Sequence, residues 1–180
     1  MIEVVDYTIA WPKTFESLKS FVWPALKDIA ISIEHVGSTS VPDLAAKPII
    51  DMDVIIPANQ PVSSAIARLA PLGYIHRGNL GILGRDAFTA PTHLPAHHLY
   101  VCLQGSLGLQ NHLAVRDYLR SHPQVAKTYS ELKKSLAQQF PHDIDRYIAG
   151  KTDFLLNILR QCDFSSSDRQ AIESINRGLN

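Results

Sequence analysis

The chain has 180 residues, 46% of them hydrophobic and 19% charged, enough apolar material for one domain with a packed core and too much for disorder. Lys plus Arg and Asp plus Glu both number 17, so the formal charge is zero; this argues against a general nucleic-acid-binding surface, which needs a basic excess. Residues 1–6 lack the basic and apolar regions of a signal peptide, no apolar run approaches the roughly 18–20 residues of a membrane helix, and Cys102 and Cys162 sit in no CxxC spacing, so a soluble cytoplasmic protein without a membrane partner is expected.

Residues 2–7 read as a short first strand. Pro12 opens a helix whose apolar face is Phe15, Leu18, Val22, Leu26 and Ile29, with a kink or split expected at Pro24. Residues 31–36 read as a strand stopped by Gly37, and residues 41–48 as a connector with about one helical turn between Pro42 and Pro48. Residues 49–56 are the clearest strand. Apolar side chains fill nearly both of its faces, which marks a strand in the sheet interior, and only Asp51 and Asp53 break that pattern. A helix over residues 62–72 follows, then short strands near 74–77 and 85–90 around a glycine-containing loop, and a strand over 97–103. There Leu99, Val101 and Leu103 face one way, and His98, Tyr100 and Cys102 the other. From residue 107 only helices follow, over 109–121, from Pro123, over 143–162 and over 168–180. The stripe of the second is Val125, Tyr129, Leu132 and Leu136. The fold class is α/β (α+β), one domain in which an α/β part (1–106) carries a helical part (107–180).

The chemistry concentrates between residues 35 and 53. Asp51 and Asp53 are two apart on a strand and so share one side of the sheet. Two like charges on a buried strand are unfavourable without a cation, and hard Mg²⁺ (or Mn²⁺) is held in this way, with substrate phosphates completing its shell. Gly37-Ser38-Thr39-Ser40 is a small, hydroxyl-rich turn whose backbone can approach a phosphate, with Lys47 as a mobile positive charge beside it. His93, His97, His98 and Cys102 have zinc-donor chemistry, but adjacent strand residues face opposite ways and the spacing matches no standard zinc site. His35 either orients the turn or is a hydrogen-bonded core histidine.

A Gly-Ser turn followed by Asp-x-Asp on a strand resembles the nucleotidyltransferase superfamily, the fold of DNA polymerase beta. Residues 33–42, IEHVGSTSVP, with 44–51, LAAKPIID, resemble more closely the signature of the GrpB family. The likeness continues through His98-Leu99, Asn111-His112-Leu113, residues 116–123 and Tyr147 with Lys151 before Phe154. The resemblance implies a small mixed sheet of nucleotidyltransferase type and a helical half closing a cleft. It implies binding of a nucleoside triphosphate with a divalent metal, and transfer of a nucleotidyl group to an unknown small acceptor. In that reading Asp51 and Asp53 hold the metal, and His98 stands where a third catalytic acid is expected. His35, Gly37, Ser38, Thr39, Ser40, Lys47, Arg116 and Lys151 contact phosphate or substrate. The family is also found fused to dephospho-CoA kinase, which implies that enzyme as an associate.

Two departures from the pattern stand out. Asp43 replaces a glycine after Val-Pro, and Tyr100 replaces the second histidine of His-Leu-His. The strand over 97–103 carries no acid, where active nucleotidyltransferases carry their third carboxylate. This leaves two rival classes: a non-catalytic ligand-sensing or partner-docking module of the same fold, and a zinc hydrolase using the histidines.

Overall fold

The computed structural model describes residues 1–178. Its elements run α1 (Ala10–Leu26), β1 (Ser32–Val36), β2 (Ile50–Ile56), α2 (Val62–Leu69), β3 (Ile75–His76), β4 (Arg85–Thr89), β5 (His97–Leu103), α3 (Leu107–Ser121), α4 (Pro123–Gln139), α5 (Ile144–Gln161) and α6 (Ser166–Asn176). The strands make one mixed sheet in the order β1-β2-β5-β4-β3. β2 and β5 run parallel, while the other neighbours are antiparallel.

Strand alternation divides this sheet into two unlike faces. On one, Ile50, Met52, Val54 and Ile56 of β2 and Leu99 and Val101 of β5 pack beneath α1 and α2, against Trp11, Phe15, Leu18, Val22, Leu26, Ala65 and Leu69. Each such side chain contributes roughly 1.5–3 kcal/mol by leaving water, so this face holds the main core. The other face carries Glu34 of β1, Asp51 and Asp53 of β2, and His98, Tyr100 and Cys102 of β5. Here α3 lies over the sheet, with Leu109 against Ile55 and Cys102. The helices are pinned to the β1–β2 connector by Val41 and Leu44, which pack with Leu119, Ala126, Tyr129 and Ile158. The Ala45 N–H also donates to Ser130 Oγ at 3.0 Å.

Several sequence expectations are corrected. The first strand shrinks to one bridge, Val5 with Ala46. α1 starts at Ala10, which puts Pro12 in the first turn, where its missing N–H is not needed. Pro24 does not split the helix, because it falls in the last turn and only one hydrogen bond is given up before the end. The turn of helix foreseen before Pro48 is instead a 3₁₀ turn over Ser38–Ser40 followed by irregular chain. Asp43 keeps a left-handed backbone with φ +62°, the conformation that glycine favours and Asp tolerates better than most residues. The last helix ends at Asn176, and its expected extension to residues 179–180 lies outside the described residues. Among the described residues no helix is long and apolar enough to cross a membrane.

Candidate functional site

The parallel register of β2 and β5 sets Asp51 beside His98 and Asp53 beside Tyr100. Each aspartate accepts a hydrogen bond from one histidine. His98 Nδ1 donates to Asp51 Oδ1 at 2.8 Å, and His112 Nδ1, from α3, donates to Asp53 Oδ2 at 2.8 Å. A carboxylate only accepts, so these bonds fix the proton on Nδ1 of both rings. For His112, burial opposes the positive charge, but the charge of Asp53 and its hydrogen bond outweigh burial and raise its pKa above the ordinary histidine value.

The two remaining carboxylate oxygens carry the case for a cation. Asp53 is fully buried, and its Oδ1 has no hydrogen-bond partner among the described residues, an arrangement disfavoured unless something positive approaches. Asp51 Oδ2 lies against Gly37, where an added Cβ would sit 2.1 Å from it. Gly37 has φ +67° and ψ −174°, a backbone region open essentially to glycine alone. The turn therefore meets the Asp51 carboxylate through a glycine that nothing larger can replace. Among the described residues no group of three or more His, Cys, Asp or Glu side chains gathers to hold a metal. What the protein offers is two carboxylates, the donor set Mg²⁺ accepts when phosphate and water supply the rest.

Beside Asp51 opens a cavity of about 200 Å³ whose wall carries Ser38, Thr39, His98 and three lysines, Lys47, Lys133 and Lys151. Lys133 is 2% exposed. Its Nζ donates to the Ala45 carbonyl and lies 4.6 Å from the Tyr129 ring centre. Lys151 lies 4.5 Å and Lys47 6.0 Å from the Tyr147 ring centre. Among the described residues the only lysine paired with a carboxylate is Lys134, on Asp6. Burial, with Lys151 nearby, pulls the Lys133 pKa down to about 6; burial and Lys47 pull Lys151 down to about 8. Three lysines without a carboxylate salt bridge, gathered around one small cavity whose wall carries the single acid Asp51, suit an anion, and an arriving anion would favour the charged forms of Lys133 and Lys151.

A second cavity of about 250 Å³ shares Ser38, Asp51 and Lys151 with the first, and adds Asn111, His112 and Arg116 of α3 and Asn176 of α6. Of the residues expected at the site, Gly37, Ser38, Thr39, Lys47, Asp51, His98, Arg116 and Lys151 thus line one or both cavities. His35 and Ser40 do not. His35 lies on the opposite face of β1, stacked on Phe15 at 4.6 Å. Its Nε2–H donates to Thr39 Oγ1 at 3.0 Å, and that hydroxyl donates to the Ile49 carbonyl. Burial lowers its pKa to about 4, so the ring is neutral. The Ser40 hydroxyl is spent on the Gly37 carbonyl at 2.6 Å, and the Ser40 carbonyl accepts from Arg120. Both residues brace the turn. Asp53, fully buried and bonded to His112, lines neither cavity.

Two residues central to this geometry escaped the sequence reading as site residues, Lys133 and His112. A signal for Lys133 existed: Ala126, Tyr129, Ser130, Lys133, Leu136 and Ala137 recur at helical spacing, and all are buried. No acid stands on β5, but Glu34 of β1 is paired in register with Asp53 and faces the same side. It accepts from Arg116 at 2.9 Å, and Arg116 also donates to Asp117 and the His35 carbonyl. The zinc-type donors are not brought together. His97 is held between the Pro95 carbonyl and the Tyr74 hydroxyl, while Cys102 is buried beside Ile55 and Leu109.

The mixed five-strand sheet with six helices is the nucleotidyltransferase-type fold. It matches the Cid1 poly(U) polymerase solved with bound MgGTP at TM-score 0.52 and 16% identity, over 74% of this chain and 44% of that one. The family model described as "GrpB protein" matches residues 1–161, and the chain belongs to that family. The GrpB protein of Enterococcus faecalis, whose crystal structure is known, is 37% identical with TM-score 0.79, over 88% of this chain and 96% of that one. The UPF0157 protein YqkA of Bacillus subtilis is 38% identical over 86% of this chain, which spans 45% of YqkA. A dephospho-CoA kinase of Mycolicibacterium paratuberculosis is 22% identical over 84% of this chain and 43% of its own length.

Proposed function

We propose that the two linked cavities bind a nucleoside triphosphate together with a divalent metal, and that the protein transfers the nucleotidyl group to the hydroxyl of a small acceptor, forming a bond to the α-phosphorus while the α–β phosphoanhydride breaks and pyrophosphate leaves. The observation that carries this reading is the meeting, around Ser38, of three lysines lacking carboxylate partners with Asp51, while further along the strand the buried Asp53 keeps one oxygen unpaired. Lys47, Lys133 and Lys151 would hold phosphate oxygens, and Ser38 would donate to them across the Gly37 turn. Asp51 and Asp53 would hold the cation, which when bound offsets charge on the phosphates. His98, with its proton fixed on Nδ1 by Asp51, keeps a free lone pair on Nε2, which would take the proton of an attacking hydroxyl.

Calorimetric titration tests the binding. A magnesium nucleoside triphosphate should bind, and Lys133→Met should weaken it at least tenfold. Asp51→Asn should remove the magnesium dependence. Magnesium-independent binding unchanged in both variants would refute the reading.

One observation favours a non-catalytic module instead: the strand beside the aspartates offers His98 and Tyr100 and no acid. Labelled triphosphate separates the two. Label appearing on any acceptor supports transfer, and thermal stabilisation without turnover supports the module. The likeness to part of a dephospho-CoA kinase supports a partner in coenzyme A biosynthesis, checked by nucleotide-dependent binding to such a kinase.

A further inference from the structure

The second cavity differs in chemistry from the first. Its aliphatic wall is Val115, Leu119 and Leu155, and beyond the shared Asp51 and Lys151 its charged groups are already engaged. Arg116 is held by Glu34, Asp117 and the His35 carbonyl, and His112 Nδ1 by Asp53. The neutral polar side chains that this cavity adds, and that make no hydrogen bond among the described residues, are two amides, Asn111 of α3 and Asn176 of α6, and the Tyr129 hydroxyl. An amide offers both a donor and an acceptor. Apolar walls with a donor–acceptor pair suit a flat, uncharged heterocycle with a polar edge. They do not suit a second phosphate, which the lysine cavity serves far better.

Because the cavities share Ser38, Asp51 and Lys151, one molecule can lie across both, anionic in one and heterocyclic in the other. The helix that supplies Asn176 lies beyond residues 1–161, the span of the family match. α6 is nevertheless built firmly onto the domain. Ser165 and Asp168 form a reciprocal capping box at its start, worth about 1 kcal/mol in typical helices. Ile172 is buried against Leu156 and Leu159. At its end Arg177 reaches Asp153 at 2.6 Å and Glu173 at 3.0 Å.

We propose that the second cavity receives the nucleobase of the ligand whose phosphates occupy the lysine cavity, and that Asn176 of α6, with Asn111, reads the edge of that base. This rests on the triphosphate reading above and adds base selectivity, set by a helix outside the family core.

The test compares inorganic tripolyphosphate with the four common ribonucleoside triphosphates, each with magnesium, by calorimetry on the full chain. At least one nucleoside triphosphate should bind tighter than tripolyphosphate, with unequal affinities among the four. Asn176→Ala and Asn111→Ala should each lower that advantage about three- to tenfold, the size of one lost hydrogen bond, and leave tripolyphosphate binding unchanged. Asn176→Asp, which keeps the shape but removes the donor, should reorder the four bases, and melting curves confirm that each variant folds. Equal binding of tripolyphosphate and all four nucleotides would overturn the proposal, as would an advantage that survives both alanine variants. If tripolyphosphate itself does not bind, the lysine-cavity reading fails, and the base-reading role falls with it for that separate reason.

Discussion

The two faces of the central sheet are made by the same strands and differ in almost everything else. Met52, Val54, Leu99 and Val101 are sealed beneath α1 and α2 with no exposure. One residue along in each strand, Asp51 and His98 line the cavities, and Asp53 and Tyr100 face His112 of α3. Stability and chemistry are therefore separated by a single step in sequence. A substitution on one face should spare the property carried by the other.

The largest effect should come from the apolar face. Leu99→Ala removes a fully buried side chain from the centre of the core and should lower unfolding free energy by about 2–5 kcal/mol. Folded Leu99→Ala should still bind a magnesium triphosphate normally; denaturant melts and calorimetry give the two numbers.

His35 tests the border between the faces. Its folded pKa, about 4, lies below the ordinary histidine value of 6.5. The unfolded chain therefore binds a proton that the folded chain refuses. The stability tied to the neutral ring is present above pH 6.5 and lost as pH falls from 6.5 toward 4, by about 3 kcal/mol at most. His35→Gln should flatten that slope between pH 7 and pH 4 in denaturant melts.

Gly37→Ala should act on both properties, since the turn joins them. The backbone strain is about 1–3 kcal/mol, and the new methyl would displace Asp51 Oδ2. Triphosphate binding should fall further than the loss of stability explains.

The smallest effect is a paired comparison one residue wide. Lys133 lies inside the cavity, and Lys134 reaches Asp6 on the surface. Lys134→Met should change stability by less than about 0.5 kcal/mol and leave binding unchanged. If it weakens binding as much as Lys133→Met does, the cavity assignment is wrong.

What the sequence could reveal follows from the range of each physical rule. Strand alternation is local, so the shared side of Asp51 and Asp53, and the opposite orientations of Leu99 and His98, could be read directly. The Gly-Ser turn was legible for the same reason, because its backbone demand belongs to Gly37 alone. Pairing across the chain was not. His112 meets Asp53 only after α3 docks on the sheet, 59 residues away in sequence. Lys133 was hidden by its chemistry, since a lysine next to Lys134 on a helix reads as solvated. Ser40 and His35 have the right residue types for phosphate, but their partners are chosen within the turn itself.

The parallel pairing of β2 with β5 also fixes how easily this site can change. Tyr100 stands in register with Asp53, and the Arg85 guanidinium lies 4.4 Å from its ring. One nucleotide change turns a tyrosine codon into an aspartate codon. Tyr100→Asp would set a carboxylate on β5 beside Asp53, across the strand from Glu34, with Arg85 at hand to offset its charge. The missing acid thus lies one mutation away, so gain or loss of transfer activity within such a lineage would be a small evolutionary step. Label transfer by the Tyr100→Asp protein, compared with the parent chain, would measure the size of that step.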